Sequence, residues 1–336
     1  MPSLLTLPRE LLHKVLELVI SSFIPAPQDI SDASNRATLR DFHIDRRYNN
    51  FHQGCVLYIE HTKQPDTTSL LLVSRQLYIE TLAVLRILPT KHSYILDVII
   101  GEEKNLWPTW LYVPELTTRV DKVYTTFRSI GFPTKRNSLF LGGDRGPPRL
   151  TWALYNLIER FLRVGPVGRQ PGRNDKHISI KELVIDVLTP DVPPEMIAPA
   201  KITPFGGGVL RQRRRGNYSA EDEPQVMRHP KSTAAYICSN LRTLLCGAQE
   251  IMGDYGCLVY ERIGTIKVLV DGEPFSEVRA EWDLAEDLAK MRYNDRHRRN
   301  EEREEFMRWK ERAHDLRVEF GLPVKPHVVA PEEETV

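Results

Sequence analysis

Val120–Phe127 (VDKVYTTF), Ile180–Val187 (IKELVIDV) and Ile263–Val270 (IGTIKVLV) are three octets of one design. In each, an opening apolar residue is followed three, five and seven residues on by apolar or threonine positions: Val123, Thr125 and Phe127; Leu183, Ile185 and Val187; Ile266, Val268 and Val270. The last three positions alternate, and side chains two apart on a strand share a face. Each octet is therefore expected as a strand with one face in a core. Ser93–Ile100 (SYILDVII) is apolar enough to be a fourth, buried strand.

Around these strands lie helical patterns, Leu150–Val164 (LTWALYNLIERFLRV) and Thr233–Leu245. Strands alternating with helices predict an α/β fold, with α+β as the alternative: a small, mostly parallel sheet joined by crossover helices over residues 91–275. The strand spacing has leucine-rich-repeat character, but starts at 120, 180 and 263 lie further apart than that repeat's usual ~20–29 residues. A degenerate array with long insertions and ordinary crossover units both stay open. Gly142–Pro148, Gly165–Gly172 and 190–204 are punctuated by glycine and proline and read as turns or linkers. Residues 205–231 lack periodicity and read as a mobile surface loop.

Residues 276–320 read as a long charged C-terminal helix. Phe306, Trp309, Ala313, Leu316 and Phe320 step alternately by three and four along it, a short heptad seam. Gly321 and Pro323 end it, and 321–336 read as a disordered acidic tail.

The N-terminal helix is the clearest local element. Pro8 suits a first turn and Glu10 complements the positive helix end. Leu11, Leu12, Val15, Leu16, Val19, Ile20 and Phe23 make a wide apolar stripe, which Pro25 and Pro27 close. After residues 28–68, a polar insertion with at most one strand near Cys55–Ile59, a second helix is expected from Ser69 to Leu88.

Composition narrows the function classes. The 336 residues are 41% hydrophobic and 27% charged, as in ordinary globular chains. A net charge of +1 supplies no global field for nucleic acid or an anionic membrane. No apolar run approaches the ~20 residues that span a bilayer. No basic segment precedes the N-terminal apolar stretch, so it does not read as a signal peptide. Cys55, Cys238, Cys246 and Cys257 show no close pairing and read as reduced core residues of a cytoplasmic or nuclear protein. The sequon at Asn217 is then a chance match.

Residue patterns for chemistry are sparse. The nucleophile-elbow, HExxH, GxGxxG and P-loop patterns are missing. Gly206–Gly208 runs into Val209-Leu210-Arg211 and reads as a flexible turn. Asp41, His43 and Asp45 could share one strand face and bind zinc or manganese, but they sit among Arg40, Arg46 and Arg47 in what reads as an exposed loop. Cys238, Cys246 and Cys257 suit core positions better than a zinc site. Arg211–Arg215 could be a nucleic-acid or nuclear-import patch, which Glu221–Glu223 partly neutralise. The five tryptophans have apolar neighbours and favour packing. The sequence thus points to a non-catalytic interaction protein without metal or cofactor.

The two N-terminal helices together resemble the F-box. That family opens with Leu-Pro-x-Glu-Leu/Ile-Leu-x-x-Val/Ile-Leu, which stands here as Leu7-Pro8-Arg9-Glu10-Leu11-Leu12-His13-Lys14-Val15-Leu16. Its later Leu-x-x-Val-Cys/Ser-Arg element stands as Leu70-Leu71-Leu72-Val73-Ser74-Arg75. The form LLLVSRQLYIET is similar to F-box-like proteins of filamentous fungi. The resemblance covers only residues 1–27 and 69–90. It implies docking through Leu7, Pro8, Leu11, Leu12, Val15 and Leu16 onto the Skp adaptor of a cullin–RING ubiquitin ligase, with the remainder presenting a protein substrate. A standard F-box packs both elements into one compact unit, whereas residues 28–68 separate them here. The insertion either loops out and leaves the module intact, or the motif survives as packing in a stand-alone scaffold whose first helix is buried in its own core and binds no adaptor.

Overall fold

The computed structural model describes residues 4–30, 35–39, 55–60, 66–133, 139–140, 148–168, 175–201, 226–245, 253–279 and 296–324. In chain order its elements are α1 (Arg9–Ile20), β1 (Arg36–Ala37), β2 (Tyr58–Ile59), α2 (Asp66–Val73), α3 (Arg75–Ile87), β3 (Ser93–Gly101), β4 (Asn105–Tyr112), β5 (Arg119–Ile130), α4 (Arg149–Val164), β6 (Ser179–Val187), α5 (Pro230–Leu245), α6 (Gly253–Arg262), β7 (Ile263–Val270), β8 (Glu273–Arg279) and α7 (Arg296–Glu319).

The three octets are adjacent strands in one register. Val120, Ile180 and Ile263 lie side by side, as do Val123, Leu183 and Ile266; Thr125, Ile185 and Val268; and Phe127, Val187 and Val270. Tyr94, Leu96 and Val98 of β3 extend the last three rungs. The shared spacing is thus the lateral alignment of a parallel ladder, which puts every rung into one apolar face. Sheet order is β4-β3-β5-β6-β7-β8, with β3, β5, β6 and β7 parallel and the edge strands β4 and β8 antiparallel. The fold is α/β, as the alternation of strands and helices implied.

Helices α4, α5 and α6 cover the apolar face, and their residues join the rungs in one core. The other face is polar. Arg128 grips the buried Asp97 with Nε and Nη2, each at 2.7 Å. Tyr124 donates to Asp186 at 2.5 Å, and Lys122 and Lys267 flank Glu182. Among the described strands, β3, β5, β6 and β7 follow one another in a single direction. Such a sheet lacks the reversal of strand order at which open α/β folds form a ligand crevice.

A second, smaller core is separate from the first. Leu12, Leu16 and Ile20 of α1 pack with Leu77, Val84, Leu85 and Leu88. The helix expected from Ser69 to Leu88 is two helices. Ser74 is extended (φ −157°, ψ 158°), and its hydroxyl accepts from the Leu77 amide, so it caps α3 and breaks the run.

Described residues between α1 and α2 lie along the free side of β4. Phe23 stacks on Tyr112, the Ile24 amide donates to Leu111 and the Leu57 amide to Leu106. Arg36 donates to the Pro108 carbonyl and to Thr109. The insertion holds two short paired strands, β1 and β2, where one strand was expected.

At the other end, Ser276–Arg279 belongs to β8, so the helix expected from residue 276 does not begin there; the described helix starts at Arg296. The described part of the seam packs against the chain itself. Trp309 packs on Tyr260 and donates to Glu261 at 2.8 Å, while Ala313 and Phe320 are buried. The Phe306 side chain lies outside the described residues. Arg317 is fully buried, and its guanidinium reaches the carbonyls of Tyr260, Ile263 and Pro323. Gly321 (φ +64°) supplies the left-handed turn that ends α7, with the Leu322 amide returning to the Arg317 carbonyl. Leu322 is buried, so the first residues of the expected tail are part of the fold; of the loop expected over 205–231, Met227 is buried and paired with Ile197 and α5 already begins at Pro230, while 205–225 and the tail beyond residue 324 lie outside the described residues.

Gly264 makes this closure possible. A Cβ there would sit 2.5 Å from the Lys181 carbonyl oxygen and 3.1 Å from Pro323. Gly264→Ala is expected to destabilise by at least about 2 kcal/mol in urea denaturation, because backbone must move to admit it. A change under ~0.5 kcal/mol would show that the strand and the C-terminal segment are not held this close.

Candidate partner-binding surface

Helix α1 is apolar on two sides. At 100° per residue, Leu12, Leu16 and Ile20 define one stripe, while Leu11 and Leu18 line up on the other side; Leu7 lies just ahead of the helix. The first stripe is the module's own core. The second faces solvent, with Leu11 55% and Leu18 63% exposed against 0% for Leu16.

The six residues implied in docking therefore divide. Leu7, Pro8 and Leu11 are exposed, Val15 is half-buried, and Leu12 and Leu16 are buried against α3. The two sequence elements that carry the F-box resemblance meet in space despite the insertion between them. A polar clamp fixes their angle: Glu80 of α3 accepts from Arg9 at 3.0 Å and lies 2.6 Å from His13 Nε2. The His13 contact, followed by Arg9, holds the Glu80 carboxyl below its ordinary range.

Further apolar residues are exposed on the same module: Leu72 and Val73 at the end of α2, and Tyr78, Ile79 and Ile87 on α3. Sequence periodicity had not marked these, because in one continuous apolar run they look the same as core. Isolated exposed leucines are ordinary on a protein surface. A helix that satisfies its own core on one side and presents a second apolar stripe on the other is the pattern of a partner-binding helix.

Elsewhere the structure offers little for chemistry. A void of about 30 Å³ beneath α4, lined by Leu96, Trp110, Val123, Leu154, Phe161 and Leu183 among others, is far below the ~300 Å³ of a small-ligand site. Cys55 and Cys238 are buried, and burial pushes both thiols up, away from the reactive thiolate. Among the described residues no group of His, Cys, Asp and Glu is placed to hold a metal ion. Asp41, His43, Asp45, Gly206–Gly208, Arg211–Arg215 and Cys246 lie outside the described residues. Among the described helices none is long and apolar enough to cross a membrane.

The most concentrated group of charges joins α4 to the lead-in of β6. Arg163 donates to Glu159 at 3.0 Å and to Asp175 at 2.9 Å, and Arg262 grips Asp175 at 2.7 and 2.8 Å. Burial pushes the Glu159 carboxyl up to about 7, against the pull of Arg163. The Asp175 carboxyl is held low by Arg262 and the His177 amide despite its partial burial. None of these groups lines the void beneath α4. Comparison of the chain with family models, with curated proteins and with solved structures gives no match.

Proposed function

We propose that this chain is a non-catalytic interaction protein, an F-box-like subunit that docks on a Skp adaptor of a cullin–RING ubiquitin ligase and recruits a protein substrate through the remainder of its fold. The observation that carries this reading is the exposed apolar surface at the start of α1. Leu7, Pro8 and Leu11 are exposed, although the helix has already filled its own core with Leu12, Leu16 and Ile20. Burying three such side chains in a partner groove is worth several kcal/mol, at about 1.5–3 kcal/mol each when complete. Leu12 and Leu16 then act indirectly, by holding α1 on α3 at the angle the partner meets.

The test is co-purification with the Skp adaptor, comparing wild type with Leu7→Asp/Leu11→Asp. The double variant is expected to lose binding by more than a hundredfold while its urea midpoint stays close to wild type, since both positions are exposed. If the folded wild type does not bind, the ubiquitin-ligase reading falls and the stand-alone scaffold takes its place; the burial of Leu12 and Leu16 in the module's own core fits that second reading.

A further inference from the structure

The three-helix module and the sheet have separate cores, and two bodies joined without a shared core are expected to swing against each other. What joins these two is polar and partly buried. Tyr112, at the end of β4, is met from two helix exits: Phe23 beyond α1 stacks on its ring at 4.8 Å, and the Thr90 hydroxyl beyond α3 lies 2.9 Å from its own. The Ile24 amide donates to Leu111, and Thr67, in the first turn of α2 and only 2% exposed, donates to the Pro114 carbonyl. Each helix is thus tied at one end to Leu111–Pro114. Bonds confined to so short a stretch make a pivot, and a pivot permits swivel.

A second attachment stands away from it. Arg128 of β5 holds Asp97 with Nε and Nη2, and the same Nη2 donates to the Pro27 carbonyl at 2.7 Å. Asp97 is buried and takes a further bond from Thr126, so the guanidinium has little freedom. Tyr112 pairs with Ile95 and Arg128 with Ile99, four positions apart on β3, which at ~3.3 Å per residue sets the attachments about 13 Å apart along the strands. The strap between them is stiff. Pro25 and Pro27 have fixed φ, and the residue before each is pushed toward extended backbone. A turn of α1 is therefore resisted at Arg128.

We propose that the strap Ser22–Pro27, held by Arg128, is a stay that fixes the direction of α1: with it, module and sheet move as one rigid body; without it, the module swivels about Tyr112. Arg128 is then a positioning residue, and whatever partner takes the outer side of α1 is kept at a set angle to the sheet.

Residual dipolar couplings of backbone amides in the full chain test this. In wild type, couplings from α1, α2 and α3 and couplings from β3, β5, β6 and β7 are expected to fit one alignment tensor. Arg128→Lys keeps a charge for Asp97 but has no planar fork to reach Pro27 as well. Pro25→Gly/Pro27→Gly leaves both cores untouched and softens the strap. In each variant the module is expected to need a tensor of its own, smaller in magnitude than the sheet's. A wild type that needs two tensors overturns the proposal, and so does a single shared tensor in either variant. Should Arg128→Lys fail to fold, wild type and the glycine variant decide between these outcomes.

Discussion

Arg317→Ala is expected to cost about 3–5 kcal/mol and to free the end of α7 from the domain. The side chain has no exposure, and its Nε, Nη1 and Nη2 all donate to backbone carbonyls. Tyr260 lies in the last turn of α6, where carbonyls lack helical partners and the helix dipole is negative, and Ile263 follows directly as the first residue of β7. Pro323 accepts from both Nε and Nη2, at 2.9 and 2.7 Å. The Tyr260 ring also lies 4.8 Å from the guanidinium. Alanine removes this donor from the carbonyls of Tyr260, Ile263 and Pro323. Arg317→Lys keeps the charge but loses the planar fork, and should recover only part of the loss. Urea denaturation, with limited proteolysis of α7, is the measurement. A loss under ~1 kcal/mol would mean that the carbonyls find other donors and that the arginine is not the closure.

Leu16→Ala and Leu11→Ala should separate the two sides of α1. Leu16 is enclosed by α3, and its truncation leaves a cavity, with an expected cost of about 2–5 kcal/mol. Leu11, five residues earlier on the same helix, should change stability by no more than ~0.5 kcal/mol. Adaptor capture should invert the order once folded protein is compared: Leu11→Ala weakens it directly, whereas Leu16→Ala acts through the folded fraction. Equal stability losses at the two positions would mean that the outer stripe is also covered, and would remove the basis for the docking surface.

The central ladder was legible because its periodicity is a consequence of packing. Every rung needs an apolar residue at the same height, so Val123, Leu183 and Ile266 repeat the spacing that register demands. The edges were not legible. β4 carries Pro108 and β8 carries Pro274, residues that read as breakers along the chain yet are tolerated where one side of a strand has no neighbour to bond. The β8 segment also leads directly into charged sequence, which reads as helix. The width of the apolar stripe on α1 was visible from spacing alone, but which half turns inward depends on α3, more than fifty positions away in sequence. Arg317 was invisible for a related reason: in a helix rich in charge, one buried arginine has no local signature.

The segment that passes along β4 has a consequence for anyone shortening the chain. An uncovered outer strand presents a row of free amides and carbonyls, a template for pairing with another molecule. Here Ile24 and Leu57 occupy part of that row, donating to Leu111 and Leu106, and Phe23 shields Tyr112. Excising residues 28–65 to bring α1 close to α2 in sequence would strip Leu57 from β4. Such a trimmed chain would keep its three-helix module and gain a tendency to self-associate in sheets, so the insertion is best regarded as a guard on the sheet rather than as a dispensable loop.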